Sequence, residues 1–194
     1  MADYRVYLTG VGGQGTLLAT KILAEAAIDS GLPAVASEVH GMAQRGGIVE
    51  STVLVGNVDS PIISDGEADV LLGFEPLETY RAMTKCSKNS VVISNEVPIM
   101  PFSVAIGKSS YPDVSVLFDR IRGQVRGLTT LNAQALAMEA GAALCANIVM
   151  LGALARSRAV PIAKEAFQET IRTKTKDQFV DTNLKAFELG YTAS

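Results

Sequence analysis

The sequence predicts an α/β fold with three layers: a mostly parallel sheet, helices on both faces, and a helical C-terminal third. Short runs rich in β-branched residues alternate with helical stretches over the first half of the chain. A glycine cluster joins the first such run to the first helix, and from Asn132 onward the pattern is helical. The 194 residues suffice for one domain with a buried core, so residues 1–194 are read as a single unit.

Residues 5–9 form the first strand, since Val6, Tyr7 and Leu8 favour extended backbone. Gly10-Val11-Gly12-Gly13-Gln14-Gly15 ends it. A helix follows over residues 16–29, with Leu17, Leu18, Ile22, Leu23 and Ala26 assigned to one face and Ser30-Gly31 as its stop. Residues 32–39 read as a second strand. Strand, glycine turn, helix and strand make one βαβ unit, which builds parallel sheets with a right-handed crossover. Residues 48–55 are a third strand, closed by Gly56-Asn57, and residues 70–73 a short buried one. Residues 77–85 read as a helix and 90–96 as a strand ended by Pro98. Pro98, Pro101 and Pro112 mark a loop-rich middle, and residues 128–131 are the last strand. Helices are expected at 133–140, 144–155, 162–173 and 180–189, the third beginning just after Pro161, a residue the first helical turn tolerates.

Composition excludes several function classes. Lys plus Arg is 17 and Asp plus Glu is 20, for a net charge of −3, so nothing draws the chain to nucleic acid or an anionic membrane. The absence of Trp also argues against a base-stacking platform. The two cysteines, Cys86 and Cys145, are far apart and form no CxxC, so this chain alone cannot ligate an iron–sulfur cluster or a four-ligand zinc. His40 is the single histidine, which excludes a His-pair zinc motif. No metal ligand set is assigned. No basic leader precedes an apolar stretch, and the most apolar segment, 140–155, is short for a membrane span. A reduced, cytoplasmic setting is expected.

Gly10, Gly12 and Gly15 fit GxGxxG between a strand and a helix. Glycines there allow a tight turn, and the free N–H groups of a helix start face an anion. Gly12, Gly13, Gln14, Gly15 and Thr16 are therefore the candidate cofactor-binding residues. Thr16 stands where a P-loop requires Lys, which excludes that motif. Glu38, at the end of the second strand, falls where a ribose-binding acid sits in a Rossmann-like dinucleotide fold, so the loop alone points to NAD. The simpler account is a tight strand-to-helix turn without a ligand.

The densest polar segment is Ser37-Glu38-Val39-His40-Gly41-Met42-Ala43-Gln44-Arg45-Gly46-Gly47. It leaves the carboxyl end of the second strand, the edge where open α/β sheets place ligands, and is expected beside the glycine loop. Glu38, His40, Gly41, Gln44, Arg45, Gly46 and Gly47 are the candidates for a substrate, coenzyme A or partner cleft. Arg45 offers a planar donor fork for a carboxylate or phosphate, or else a surface ion pair. His40 is a hydrogen-bond donor or relay group, or a histidine that fixes its own loop. Glu38 alternatively caps the loop. Further on, Asn147 lies among small residues (Ala140, Gly141, Ala142, Ala143, Ala146). That stretch reads first as an internal core helix and second as a partner contact. If buried, the Asn147 amide needs hydrogen-bond partners.

Val11-Gly12-Gly13-Gln14-Gly15 together with Glu38-x-His40-Gly41-Met42-Ala43-Gln44-Arg45-Gly46-Gly47 resembles the gamma-type subunit of 2-oxoacid:ferredoxin oxidoreductases. The Glu-x-His-Gly-Met-Ala-Gln-Arg form is most like the small (beta) subunit of the indolepyruvate enzymes. The resemblance runs on through 68–75 and 147–154 to Asn183-x-x-Ala186-Phe187-x-x-Gly190, covering nearly the whole chain. It implies oxidative decarboxylation of an aryl 2-oxoacid, with coenzyme A as acyl acceptor and ferredoxin as electron acceptor. It also implies that thiamine diphosphate, Mg2+ and [4Fe-4S] clusters belong to a large partner subunit. This chain would then wall the cleft, contact coenzyme A and seat the partner, and no catalytic acid or base is assigned to it. The alternatives are a gamma subunit for pyruvate or 2-oxoglutarate, a stand-alone NAD-binding oxidoreductase with Glu38 on a ribose, and a purely structural assembly chain.

Overall fold

A computed structural model describes residues 3–40, 47–57 and 60–194, His40 by its backbone only. The sheet contains β1 (Tyr4–Val11), β2 (Ala34–His40), β3 (Ile48–Val55), β4 (Ala68–Gly73), β5 (Cys86–Asn95) and β6 (Gly127–Leu131). Their order is β2-β3-β1-β4-β5-β6. The β1–β4, β4–β5 and β5–β6 ladders are parallel, while β3 runs antiparallel to both neighbours. The sheet is thus mixed and mostly parallel.

One expectation is corrected here. β1 and β2 do run in the same direction, but they are not paired, because β3 lies between them. The physical reason is the connection: β3 follows β2 after only residues 41–47, and a connection that short joins antiparallel strands, whereas a parallel pair needs a longer crossover. β3 then satisfies the open edge of β1 along its full length, from Tyr4 opposite Val55 to Val11 opposite Ile48.

Residue alternation puts a core on each face of the sheet. Val6, Leu8, Val53, Val70, Leu72 and Ile93 face the larger cluster. There they meet α1 (Thr16–Asp29), α5 (Ala133–Ala140), α6 (Ala146–Ser157), α7 (Lys164–Lys174) and α8 (Asp177–Ala193). Tyr7, Leu54, Leu71 and Val92 point the other way, toward Ala82, Phe118 and Ile121. That second layer is thinner. It holds α2 (Pro76–Arg81), continued by a 3-10 turn at Ala82–Lys85, and α4 (Val114–Arg122).

Two further differences have local causes. The buried face of α1 is Ala19, Ile22, Leu23, Ala26 and Ala27, at the spacing of one helical stripe. Leu17 and Leu18 fall off that stripe and are exposed. In the proline-rich middle, α3 (Phe102–Ala105) is a single turn, and α4 was not anticipated after Pro112. Its signals are short: Asp113 accepts a hydrogen bond from the Ser115 N–H at 2.8 Å, Leu117, Phe118 and Ile121 are buried, and Arg120 and Arg122 close the last turn.

Candidate functional site

The carboxyl ends of β1, β4, β5 and β6 gather the candidate residues. The glycine loop leaves β1 there, and the Gly12 N–H donates to the Gly47 carbonyl at 2.8 Å. That bond places the start of β3, and hence the end of the 38–47 segment, beside the loop as expected. Gly41, Gln44, Arg45 and Gly46 lie outside the described residues, as does the His40 side chain.

Much of the loop is occupied by its own structure. Gln14 folds its amide back: Oε1 accepts from the Val11 N–H at 2.8 Å, and Nε2 donates to the Phe74 carbonyl at 2.6 Å. The side chain thereby staples the loop to the end of β4. The Gln14 N–H donates to the Val11 carbonyl at 3.2 Å. Gly12 and Gln14 thus have their N–H groups engaged internally, while Gly13 is exposed, with φ +101°. Gly15 caps α1 in the left-handed region, with φ +74°. A Cβ there would lie 2.7 Å from Asn147 Nδ2. That nitrogen donates to the Gly15 carbonyl at 3.0 Å, so α6 docks on the loop through this glycine. Thr16 is buried, and its hydroxyl has no partner among the described residues.

Glu38 is exposed on β2, opposite Ser51 of β3. With β3 inserted, it stands two strand spacings from β1, roughly 10 Å. A ribose-binding acid requires the strand next to the glycine loop. The dinucleotide reading therefore loses the geometry that suggested it.

Sequence reasoning missed the floor of the site. A cleft of about 140 Å³ opens beside Gly13 and Gln14, walled by Phe74, Ile99, Leu144 and Met150 and by the polar residues Gln134 and Asn147. Asn95, at the end of β5, shapes it: Nδ2 donates to the Phe74 carbonyl at 2.9 Å, and Oδ1 accepts from the Ala133 N–H at 3.1 Å. This one amide ties two strand ends to the start of α5. An Asn at a predicted strand end followed 37 positions later by an Asn-capped helix carries no recognisable spacing in sequence. Besides Gly13 and Gln14 of the loop, Asn147 was singled out from the sequence, and α6 is an internal helix with Asn147 buried.

Glu75 fixes the opposite wall. It is 1% exposed. Oε2 accepts from the Glu78 N–H at 2.9 Å, and Oε1 accepts from the Ile99 N–H at 3.2 Å and from the Tyr111 hydroxyl. Three donors satisfy the buried carboxylate and latch the proline-rich segment to the end of β4. Burial and the Glu75 carboxylate push the Tyr111 hydroxyl well above the ordinary tyrosine range. Among the described residues, no three His, Cys, Asp or Glu side chains group to hold a metal ion, and no helix is long and apolar enough to cross a membrane. Cys145 packs in the larger core and Cys86 against the smaller one, so the sheet separates them.

Comparison with known proteins gives the family. The family model "Pyruvate ferredoxin/flavodoxin oxidoreductase" matches residues 5–193. The indolepyruvate oxidoreductase subunit IorB of Methanothermobacter thermautotrophicus is 39% identical over 192 residues, covering 99% of this chain and 98% of that protein. The IorB of Archaeoglobus fulgidus is 40% identical, covering 96% and 92%. Among solved structures, the gamma subunit of a keto/oxoacid ferredoxin oxidoreductase from Geobacter sulfurreducens superposes with a TM-score of 0.71 at 29% identity, covering 98% of this chain and 97% of that one. With a match across nearly its whole length, the chain belongs to the pyruvate ferredoxin/flavodoxin oxidoreductase family, as a gamma-type chain.

Proposed function

We propose that this chain is the small subunit of a thiamine-dependent aryl-2-oxoacid:ferredoxin oxidoreductase of the indolepyruvate class, producing acyl-coenzyme A, CO2 and reduced ferredoxin. The end-to-end relationship to two indolepyruvate oxidoreductase subunits, both IorB, carries this reading. The chain's own chemistry supports a divided enzyme. Its two cysteines sit on opposite sides of the sheet, and among the described residues no three His, Cys, Asp or Glu side chains group to hold a metal ion. A large partner subunit would supply the decarboxylation and the electron path.

What remains for this chain is binding and enclosure. The Gly12–Gly47 bond holds Gly47, the last residue of the second candidate segment, beside the glycine loop. In this reading that mouth contacts coenzyme A or the oxoacid carboxylate, with Arg45 as the cationic group. The Arg45 assignment rests on the sequence. Glu75 and Asn95 act as positioning residues, keeping the strand ends and the proline-rich wall in place without touching substrate.

The test is to tag the chain in its native host, purify it anaerobically and identify the partner. A large brown thiamine-containing polypeptide, with coenzyme A-dependent turnover fastest on indolepyruvate, is the expected result. Faster turnover of pyruvate or 2-oxoglutarate would replace the substrate assignment. A chain that emerges alone and binds a nicotinamide nucleotide would end the whole reading. In the complex, Arg45→Ala should raise KM for coenzyme A or the oxoacid.

A further inference from the structure

We propose that the outer edge of β2 is a pairing surface for a second copy of this chain, joined antiparallel about Ser37 so that one sheet runs through both copies. β2 ends the strand order, and no strand pairs with its outer side among the described residues. Two hydrogen bonds fix which backbone groups face outward. The Gly12 N–H donates to the Gly47 carbonyl at 2.8 Å, so residue 47 is turned toward β1. The Gly56 N–H donates to the Pro33 carbonyl at 2.9 Å, so residue 56 is turned toward β2. Alternation along β3 then turns Glu50, Thr52 and Leu54 toward β2, where they stand opposite Val39, Ser37 and Val35. Ala34, Ala36, Glu38 and His40 consequently direct their N–H and C=O groups out of the edge. Ala36 and Glu38 are exposed.

Proteins blunt such edges with Lys, Pro or a bulge. Residues 34–40 contain no Lys, Arg or Pro, and they pair with β3 in unbroken register. The side chains select the register of a second copy. Centred on Glu38, it would set carboxylate against carboxylate, which is destabilising. Centred on Ala36, it would set Val39 against Pro33, past the end of the strand. Centred on Ser37, Glu38 lies opposite Ala36 of the second copy, and Val39, 62% exposed, lies opposite its Val35. All outward residues are then matched, Ala34 with His40 and Ala36 with Glu38, for roughly eight backbone hydrogen bonds. Ile62, 75% exposed, lines the same groove as Ser37 and Val39 and extends the apolar contact on that face. The contact is isologous, each copy offering the same residues. It requires nothing of the reaction proposed above.

The experiment is sedimentation equilibrium of the full chain from about 1 to 100 μM, repeated on Ala36→Pro and Val39→Lys. Proline at 36 removes an outward N–H and no bond to β3, which an edge strand tolerates. Thermal melting checks both variants, and Val39→Lys, on an exposed side chain, carries the test alone if Ala36→Pro unfolds. The expected result is a concentration-dependent dimer. Its dissociation constant should rise about tenfold or more in Ala36→Pro, because a symmetric interface loses two hydrogen bonds. Val39→Lys should weaken it too. Ser37→Cys should form a disulfide-linked dimer on oxidation, since directly opposed residues that share no hydrogen bond have Cα atoms about 4.5 Å apart. Val35→Cys should not, because it faces Val39 of the second copy. A monomer at every concentration overturns the proposal. So does a dimer that neither folded variant weakens or that Ser37→Cys fails to link. In the anaerobically purified complex, a benzophenone label on Ser37→Cys that links to the large subunit instead of a second copy would give the edge to that partner and also overturn it.

Discussion

Gly15 carries two requirements at once: a left-handed backbone, with φ +74°, and room for the Asn147 amide, which a Cβ would approach to 2.7 Å. Gly15→Ala should therefore destabilise the chain by about 1–3 kcal/mol, measured by urea unfolding, because strain and a lost hydrogen bond add. The glycine pattern was legible in the sequence, but its purpose was not. GxGxxG reports a tight strand-to-helix turn, and here Phe74 and Asn147, 60 and 132 positions from their partners Gln14 and Gly15, fill its surroundings. No local spacing announces those partners. The cysteines make a second case at this scale. Burial pushes the Cys86 thiol up to about 11 and also raises that of Cys145, whose Sγ–H donates to Asn183 Oδ1 at 3.1 Å. The thiolate is the reactive form, so native Cys86 should react with iodoacetamide at pH 8 about two orders of magnitude more slowly than the unfolded chain. Its rate should climb as the pH approaches 11, and fast labelling at pH 8 would show that the thiol is neither buried nor shifted.

At the scale of elements, α6 and α8 are packed through their glycines. A Cβ on Gly152 would run into the Phe187 carbonyl, and one on Gly190 into the Val149 carbonyl. Both obstacles are helix backbone, which cannot turn aside as a side chain can. Gly152→Ala and Gly190→Ala should each cost about 3 kcal/mol, lowering the thermal midpoint, while Gly31→Ala, with open space at its Cβ, should act only through its φ of +76°. The helices themselves were legible because their apolar stripes recur at helical spacing over 8 or more residues. The strands were legible too, as short β-branched runs between glycines. The place of β3 between β1 and β2 was not, since the βαβ pattern says which way β2 runs and leaves open which strand lies next to it. α4 was hidden by Pro112 and the other prolines before it, although Asp113 and the Leu117–Phe118–Ile121 stripe are its ordinary signals.

For the whole molecule, the distribution of the core decides how the chain unfolds. The larger cluster takes residues from β1, β3, β4, β5 and β6 and from α1, α5, α6, α7 and α8, so the helical C-terminal third shares one hydrophobic interior with the N-terminal strands. Phe187 of α8 is fully buried and stacks on Phe167 of α7, with ring centroids 5.8 Å apart. Lys174 of α7 reaches Glu25 of α1 at 3.2 Å, although a partly exposed pair of this kind adds little. Cooperativity follows from shared burial: removing α8 opens the face that covers α6, and α6 in turn holds the glycine loop through Asn147. The expected outcome is a single unfolding transition in scanning calorimetry, with calorimetric and van't Hoff enthalpies equal. Truncation before Asp177 should abolish that transition for the entire chain instead of leaving a folded sheet. Two resolved transitions, or a truncated chain that still melts cooperatively, would show that the C-terminal third is a separate unit. The candidate cleft would then lie at a junction between two folding units, because Gln134 and Asn147 come from the helical third and Gly13 and Phe74 from the sheet edge.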